Sequence, residues 1–178
     1  MRKCILTVML FTGMLSINAI ELDSTGRAKD YVNTIIERSQ KVTDALNITG
    51  TAAGNQVLNI VANRYFKLYD IYAERDSLKK AYSYLKGVDK QNAQQNVENN
   101  KDMKLYRSHY GFISDLSLYL NDAQIETVKD VLTYNVVKVT YDAQRDMIPT
   151  LKAEEKVQIL AWLKEAREYA IDAESSKM

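Results

Sequence analysis

Apolar residues recur at steps of three and four positions along most of this chain, a spacing that places them on one face of an α-helix. A first stripe can begin after Ser24 or Thr25 as its N-cap and ends at about Leu46. A longer stripe runs from about Ala53 to Leu85. The sequence between the two stripes, NITGTAAGN, is rich in glycine and small polar residues, which interrupt helices. The pattern therefore predicts two consecutive helices, of which the second is long.

A polar segment, GVDKQNAQQNVENNKD at residues 87–102, follows the second stripe. Beyond it, Leu105, Phe112, Leu116 and Leu120 restore the helical spacing. We predict that residues 87–102 form the solvated tip of a long helical hairpin, and helix can continue through part of the segment because Gln, Ala and Lys permit it. A flexible linker between two domains is the alternative, which we rank lower because neither flank looks self-sufficient.

Two later segments start in the same way, LNDAQIETVKDVL at residue 120 and LKAEEKVQILAWL at residue 151. In the first, the Asn121 side chain can accept a bond from an early backbone N–H and Gln124 can reach back, which is a capping box. In the second, Lys152 cannot cap in this way, so we expect a weaker start. The pattern predicts a fourth helix after Asn121 and a last helix from about Ala153 to Ala173.

The run NVVKVTY, residues 135–141, is strand-like because it is rich in β-branched residues. It has no partner strand in the pattern, so we expect a bend between helices and a short helix at about 140–148. Pro149, the only proline, ends that helix because its ring disfavours helix in the preceding residue. Taken together, the pattern predicts an all-α protein, an antiparallel helical bundle with one long helical hairpin.

The first nineteen residues have the order of a secretory signal peptide. Arg2 and Lys3 give a basic start, the apolar run ILTVMLFTGML follows, and the small residues of SINA precede a cleavage point after Ala19. Because a membrane-spanning helix needs roughly 20 apolar residues, we expect residues 1–19 to be removed and no stable membrane anchor to remain; an uncleaved anchor is the alternative. We therefore expect an exported protein, periplasmic or extracellular, in which residues 20–178 form one helical domain.

The amino-acid composition argues against several classes of function. Cys4 is the only cysteine and lies in the predicted signal peptide, so the processed chain cannot form a disulfide. With one histidine remaining, no zinc site of the usual spacing is available, and we expect no metal and no cofactor. Removing Arg2 and Lys3 from the 24 basic residues leaves 22 against 23 acidic ones. No basic patch indicates a nucleic-acid partner.

Tyrosines are the most informative candidates for binding, because the chain has twelve of them together with one tryptophan. A tyrosine ring offers a flat apolar face and a polar tip, which suits sugars and equally suits packing between helices. His109 lies on or beside the apolar stripe, either as a buried hydrogen-bonded residue or as a ligand-binding or general-base group. We identify no catalytic residue. Our candidate ligand-binding residues are Arg64, Tyr65, Asp70, His109, Tyr134 and Tyr141.

Three stretches carry a resemblance to a known family: ANRYFKLYDIYAERD, LSLYLNDAQIETVKDVLTYNVVKVTYDAQRDMIPTL and QILAWLKEAREYAIDAESS. With VKDVLTY, VTY and LKEAREYAIDA as the most specific motifs, the chain resembles the secreted bacterial family catalogued as domain of unknown function 3826 over nearly all of residues 20–178. The resemblance implies an exported helical protein, often found alongside polysaccharide-degradation systems, with sugar binding as its expected activity. It supplies no catalytic residues to carry over.

The chain departs from the pattern of that family in the bend and at its C-terminal end. The family usually has small or rigid residues in the bend, where this chain has Asn135 and Lys138. The family also tends to continue past AESS with an aromatic and basic stretch, whereas this chain stops at Met178. From that comparison we expect a chain shortened at its C-terminus.

These observations favour an exported protein that binds an oligo- or polysaccharide without catalysis, as an accessory to polysaccharide use. Tyrosine rings would stack on sugar faces, and Arg64 and Asp70 would bond to hydroxyl groups. Two other classes stay open. One is a helical chaperone of the periplasm, because the Leu-x-x-x-Gln pattern at the helix starts resembles Spy-type chaperones in that motif alone. The other is a polysaccharide-acting enzyme in which a tyrosine and His109 carry protons.

Overall fold

The structure of the protein, a computed structural model, describes residues 19–173. This part of the chain is all α-helical, which confirms the predicted fold class. The predicted signal peptide lies outside the described residues except for Ala19 and stays a prediction. Within residues 19–173, no helix has the length and apolar content that crossing a membrane requires. The helices are α1 (Lys29–Ala45), α2 (Ala52–Ala81), α3 (Gly87–Ser117), α4 (Asp122–Leu132), α5 (Val136–Met147) and α6 (Ala153–Ile171).

The two longest helices, α2 and α3, lie antiparallel and form the predicted long hairpin. Side-chain pairs mark their register, because Lys79 contacts Glu98 near the turn and Arg64 contacts Ser108 further from it. α1 packs on α2, α4 packs on α1 and α3, and α6 packs on α4. α5 lies against α6, so the last two helices form a second, shorter hairpin.

The turn of the long hairpin lies at residues 82–86, so the prediction of a tip at residues 87–102 is wrong. That segment is the first half of α3, and Val97 is its buried residue. Its polar side chains form ion pairs instead of a solvated loop: Glu98 binds Lys101 on the same helix and Lys79 across the hairpin. Lys101 and Lys79 lower the pKa of the Glu98 carboxyl to about 2. Ion pairs therefore support helix where the apolar pattern is missing.

The main core lies where α1, α2, α3 and α4 meet. Fully burying a large apolar side chain contributes about 1.5–3 kcal/mol, so this cluster holds the four helices together. A smaller cluster of Ile35, Ala62 and Phe66 extends it between α1 and α2. The buried residues of the main core are Val42, Val57, Ile60, Val61, Phe112, Leu116, Leu120, Ile125 and Val128.

The two similar helix starts differ in their hydrogen bonds, in the direction predicted. At α4, Asn121 Oδ1 accepts from the Gln124 N–H and Gln124 Oε1 accepts from the Asn121 N–H, both at 3.0 Å. At α6, Glu155 accepts from the Lys152 N–H at 2.8 Å. The Lys152 side chain has only donors, so it returns no bond, and α6 has half of the arrangement that α4 has.

The start of α1 differs from the prediction. α1 begins at Lys29, and its N-cap is Ala28, which has no side-chain cap. Ser24 instead begins a turn, in which its carbonyl accepts from the Arg27 N–H at 3.2 Å and Gly26 adopts a φ of +76°. The prediction of a cap at Ser24 or Thr25 is wrong because the chain turns once more before the helix begins.

The predicted bend before α5 is confined to Tyr134 and Asn135, which both have left-handed backbone, with φ of 54° and 55°. The Tyr134 N–H donates to the Val131 carbonyl at 3.2 Å, and the Asn135 N–H donates to the Asp130 carbonyl at 2.7 Å. These two bonds form a Schellman motif, which satisfies carbonyl groups at the end of α4.

The rest of the strand-like run is helical. α5 begins at Val136, earlier than the expected residue 140, and ends at Met147, two positions before Pro149. The preference of β-branched residues for strands comes largely from packing against neighbouring strands. Residues 19–173 contain no strand to pair with, so the helical pattern prevails.

Candidate functional site

A cleft of about 310 Å³, open to solvent, lies between α2, α3 and the N-terminal segment (residues 20–23). The apolar part of its lining comes from Ile20, Ile60 and Phe112. Gly111 adds open space, because a Cβ at this position would meet nothing within 4 Å. The polar lining consists of Asp23, Asn63, Arg64, Lys67, Ser108 and Asp115.

Amide side chains on one face of α2 hold the N-terminal segment in place. Gln56 Oε1 accepts from the Ile20 N–H at 2.6 Å, and Asn59 donates to the carbonyl of the same residue at 2.9 Å. Asn63 accepts from the Asp23 N–H at 2.8 Å and donates to another carbonyl of the segment at 2.7 Å. Residues three and four apart are neighbours on a helix surface, so the amides follow the segment and make it a wall of the cleft.

Arg64 is the buried charge of the cleft, with 5 % of its surface exposed. Its guanidinium donates to Ser108 Oγ, forms an ion pair with Asp172, and lies 5.6 Å from the ring centre of Phe112. Burial lowers the pKa of the guanidinium, and Asp172 opposes that shift. The Nε–H has no acceptor among residues 19–173. A buried donor left without a partner costs about 1–3 kcal/mol, so this side chain has bonding capacity that the fold does not use.

An ion-pair cluster lies behind Arg64, where α3 approaches α6. His109 Nδ1 is 3.1 Å from Asp172 Oδ2, and its Nε2 is 3.6 Å from Glu168 Oε2. Lys129 of α4 contacts Glu168 at 3.0 Å, and the Tyr72 hydroxyl donates to the Asp172 carbonyl at 2.8 Å. No group of His, Cys, Asp or Glu in residues 19–173 is arranged to hold a metal ion. The cluster therefore fixes Asp172, which in turn fixes Arg64.

Charged side chains stand at both ends of the cleft. Lys67 lies one turn after Arg64 on α2, is exposed, and has no ion pair or side-chain hydrogen bond within residues 19–173. At the other end, partial burial raises the pKa of the Asp115 carboxyl. Asp23 is contacted by Arg27 at 3.4 Å, and it shares this guanidinium with Asp70, which Arg27 contacts at 2.8 Å.

The structure brings two of the predicted site residues together. Arg64 lines the cleft, and His109 lies behind it, joined to it through Asp172. Asp70 lies outside the cleft, where it accepts from Arg27 at 2.8 and 3.0 Å. As ligand-binding residues these three stay predictions, and Arg64 is the one that faces the cleft directly.

The three predicted tyrosines lie elsewhere, and none of them lines the cleft. Tyr65 is half-buried beside the main core; burial raises the pKa of its hydroxyl, and the neighbouring Tyr134 adds to that rise. Tyr134 is 88 % exposed at the bend. Tyr141 is half-buried on α5, with the Arg145 guanidinium 5.6 Å from its ring centre. The bend is therefore accessible, but it is a separate surface.

Sequence reasoning missed most of the cleft. Lys67, Ser108 and Asp115 are polar residues next to the apolar stripes of α2 and α3, and such residues are common on any helix that borders solvent. A usable signal exists in hindsight, because Arg64 and Lys67 share one face of α2 while Ser108 and Asp115 share one face of α3. The α2 face and the α3 face lie opposite each other only in the observed register of the hairpin. Because the tip was predicted at residues 87–102, the predicted register was different and did not bring the two faces together.

Comparison with known proteins identifies a family. No curated protein matches the sequence. A family profile matches residues 32–178, a range that includes every cleft residue on α2 and α3 and excludes the N-terminal segment. The membership that the sequence motifs led us to expect is confirmed: the chain belongs to the family described as Protein of unknown function (DUF3826).

Proposed function

We propose that this protein is an exported, non-catalytic carbohydrate-binding protein and that the cleft between α2, α3 and the N-terminal segment holds the sugar. Small-molecule sites in proteins occupy about 300–1,000 Å³. The cleft, at about 310 Å³, suits one or two sugar units of an oligo- or polysaccharide.

The observation that carries the proposal is the combination of charged and apolar side chains in the lining of the same small cleft. A sugar presents C–H groups on its faces and hydroxyl groups at its edges, so it needs both kinds of contact. Ile60 and Phe112 offer apolar surface, Lys67 offers donors and Asp115 offers acceptors. Binding sites of this kind combine mostly apolar walls with a few placed polar groups.

Binding without chemistry is favoured by the position of His109. Both of its ring nitrogens face carboxylates, Nδ1 towards Asp172 and Nε2 towards Glu168. A general base must reach the proton that it abstracts, and this ring is occupied by contacts between helices. In the proposal, His109 positions Asp172 and Arg64 and does not touch the ligand.

Calorimetric titration against a panel of plant and host oligosaccharides tests the proposal. We expect binding by the wild type, and loss of binding in Gly111→Phe, whose ring would enter the open space of the cleft. The matched control is Ser114→Phe, which adds the same ring to an exposed position of α3 that does not line the cleft. Absence of heat with every sugar, or undiminished binding by Gly111→Phe, would count against the proposal.

Export is tested separately by the mass of the protein recovered from outside the cytoplasm of a bacterial host. Cleavage after Ala19 predicts a chain that begins at Ile20, whose N–H contacts Gln56 in the wall of the cleft. A full-length product retained in the cell would contradict this part of the proposal and leave the sugar-binding part standing.

A second candidate function, the binding of unfolded proteins, is favoured by the apolar surface of the α5–α6 hairpin. Val139, Met147, Val157 and Trp162 are each more than half exposed, at 64, 72, 70 and 61 %. Where such exposed apolar side chains adjoin one another, they form an interaction surface. The test is suppression of aggregation of a denatured client: a chaperone loses it when Val139 and Trp162 are changed to lysine and keeps it in Gly111→Phe, whereas a sugar-binding protein shows no suppression in any form.

A further inference from the structure

We propose that the cleft also binds the protein's own N-terminus: once the chain is cleaved after Ala19, the α-ammonium group of Ile20 forms an ion pair with Asp115. The ion pair locks the N-terminal segment, which is one wall of the cleft, onto α3. This inference rests on the export part of the proposed function. It is compatible with sugar binding, because a paired carboxylate keeps further lone pairs for hydroxyl groups of a ligand.

The fold holds Ile20 at three points. Its side chain packs against the main core, its N–H donates to Gln56 Oε1 at 2.6 Å, and its carbonyl accepts from Asn59 at 2.9 Å. Ala19, the residue before it, is exposed. The structure therefore begins to hold the chain at the first residue after the predicted cleavage point.

Cleavage changes the chemistry of the Ile20 nitrogen atom. Hydrolysis of the peptide bond between Ala19 and Ile20 consumes one water molecule, and it leaves a carboxylate on the released peptide and a primary amine on Ile20. An α-amino group has an ordinary pKa of about 7.7–8.0, so at pH 7 most of it is an ammonium group with three N–H donors. Gln56 accepts from one of these donors. The other two donors and the positive charge then need a partner.

Asp115 lies at the same end of the cleft as Ile20. Both residues line the cleft. The Tyr119 hydroxyl is 3.4 Å from the Gln56 Oε1 atom that binds Ile20. Asp115 precedes Tyr119 by one turn on the same face of α3. This register brings the carboxyl group of Asp115 to the level of Ile20, across the cleft from it.

The carboxyl group of Asp115 has no ion pair or hydrogen bond in the described part of the chain. It lies in the last turn of α3, where the helix dipole disfavours a negative charge, and partial burial raises its pKa. Lys67 stands at the other end of the cleft. The nearby Arg27 is shared by Asp23 and Asp70. The acidic charge of the lining is therefore incompletely balanced, and an ammonium group at Ile20 supplies the missing cation.

The inference is tested with two chains that a protease releases from a fusion partner, so that export does not set their first residue. One chain begins at Ile20, and the other carries Gly-Ser-Gly-Ser before Ile20, which moves the ammonium group away by up to about 13 Å. We expect the first chain to unfold about 2–4 °C higher at pH 7, and we expect Asp115→Asn to remove this difference. The matched control is Asp146→Asn, which removes an exposed carboxylate from the last turn of α5 and should leave the difference unchanged.

The effect of Asp115→Asn should also depend on the first residue of the chain. In the chain that begins at Ile20, the substitution should lower the unfolding temperature because it breaks the ion pair. In the extended chain it should leave that temperature unchanged or raise it, because it removes only an unpaired acid from a helix end.

NMR titration of the Ile20 α-amino group gives a measurement that a merely structural role of Asp115 would not change. We expect the pKa of this group to lie above about 8.0 in the wild type and within about 7.7–8.0 in Asp115→Asn. Equal unfolding temperatures of the two chains, or an ordinary pKa in the wild type, overturns the inference and leaves sugar binding standing. An exported protein that does not begin at Ile20 overturns the inference together with the export part of the proposed function, whereas failure of the sugar panel leaves the ion pair intact.

Discussion

Two glycines inside helices have opposite surroundings. At Gly111 an added Cβ would meet nothing within 4 Å, whereas at Gly54 it would overlap the backbone carbonyl of Ile48. We expect Gly111→Ala to raise the free energy of unfolding by about 0.5–1 kcal/mol, because alanine loses less conformational freedom in a helix. We expect Gly54→Ala to lower it by about 1–3 kcal/mol through overpacking. Urea denaturation of both variants measures the changes in the free energy of unfolding. Two changes of the same sign would contradict the difference in surroundings between the two glycines.

Tyr134 occupies a backbone position that favours glycine. It is the left-handed residue that follows α4 in the Schellman motif, and Asn47 is its counterpart after α1, with a φ of 56°. Left-handed backbone costs most L-residues roughly 1–2 kcal/mol, and asparagine tolerates it better. We expect Tyr134→Gly to stabilise the protein by about 0.5–1 kcal/mol, while Asn47→Gly changes little. Thermal unfolding provides the measurement; destabilisation by Tyr134→Gly would show that its ring, beside Tyr65, contributes packing that outweighs the backbone strain.

The starts of α4 and α6 can be compared by one substitution at the N-cap of each helix. Asn121 makes both bonds of a capping box, whereas Lys152 makes one bond with Glu155 through its backbone alone. Asn121→Ala should lower the free energy of unfolding by about 1 kcal/mol, and Lys152→Asn should raise it by about 0.5–1 kcal/mol, because each changes one side-chain bond to a free N–H. Denaturant titration of the two variants checks the pair. An unaffected Lys152→Asn would mean that α6 unfolds before the rest of the chain.

Some parts of the helices can be predicted from the local sequence, and others depend on contacts between helices. The start of α4 follows from local chemistry, so Asn121 and Gln124 identify it without tertiary information. The helical state of residues 87–102 does not, because Glu98 obtains its partner Lys79 from across the hairpin. The cleft depends on the same cross-hairpin register, so the sequence indicates Arg64 as a candidate and cannot indicate that Ser108 and Asp115 stand opposite.

At the scale of the whole molecule, the α5–α6 hairpin is attached by charges more than by apolar packing. The buried residues of α6 are Arg167 and Ile171, in contrast to the long apolar stripe of α2. Arg167 is 2 % exposed and donates to Glu126 and Asp130 of α4, both at 2.6 Å. Burial opposes the charge of the guanidinium, but its bonds to these carboxylates raise its pKa above the usual value. We call this contact between α6 and α4 the junction. It is sensitive to protonation of the carboxylates of Glu126 and Asp130.

This junction should weaken in acid before the long hairpin does. Burial pushes the pKa of the Glu126 carboxyl up, but Arg167 and Lys129 outweigh it and hold the pKa below the usual 4.5. A carboxylate with a depressed pKa stabilises the fold above its unfolded value and loses that contribution as pH falls through the folded value. Between pH 5 and pH 3 we therefore expect amide protection in α5 and α6 to fall, after correction for intrinsic exchange rates.

The long hairpin provides the internal control for that measurement. Glu98 keeps its ion pairs with Lys79 and Lys101 to lower pH, because its pKa is about 2, so protection in α2 and α3 should persist at pH 3. Glu126→Gln should reproduce part of the loss at pH 5 and reduce the change between pH 5 and pH 3. Since Asp172, which holds Arg64, lies directly after α6, release of this helix also removes the anchor of the cleft. Loss of amide protection in both hairpins at the same pH would instead show that the molecule unfolds as one unit and that protonation of Glu126 does not release α5 and α6 first.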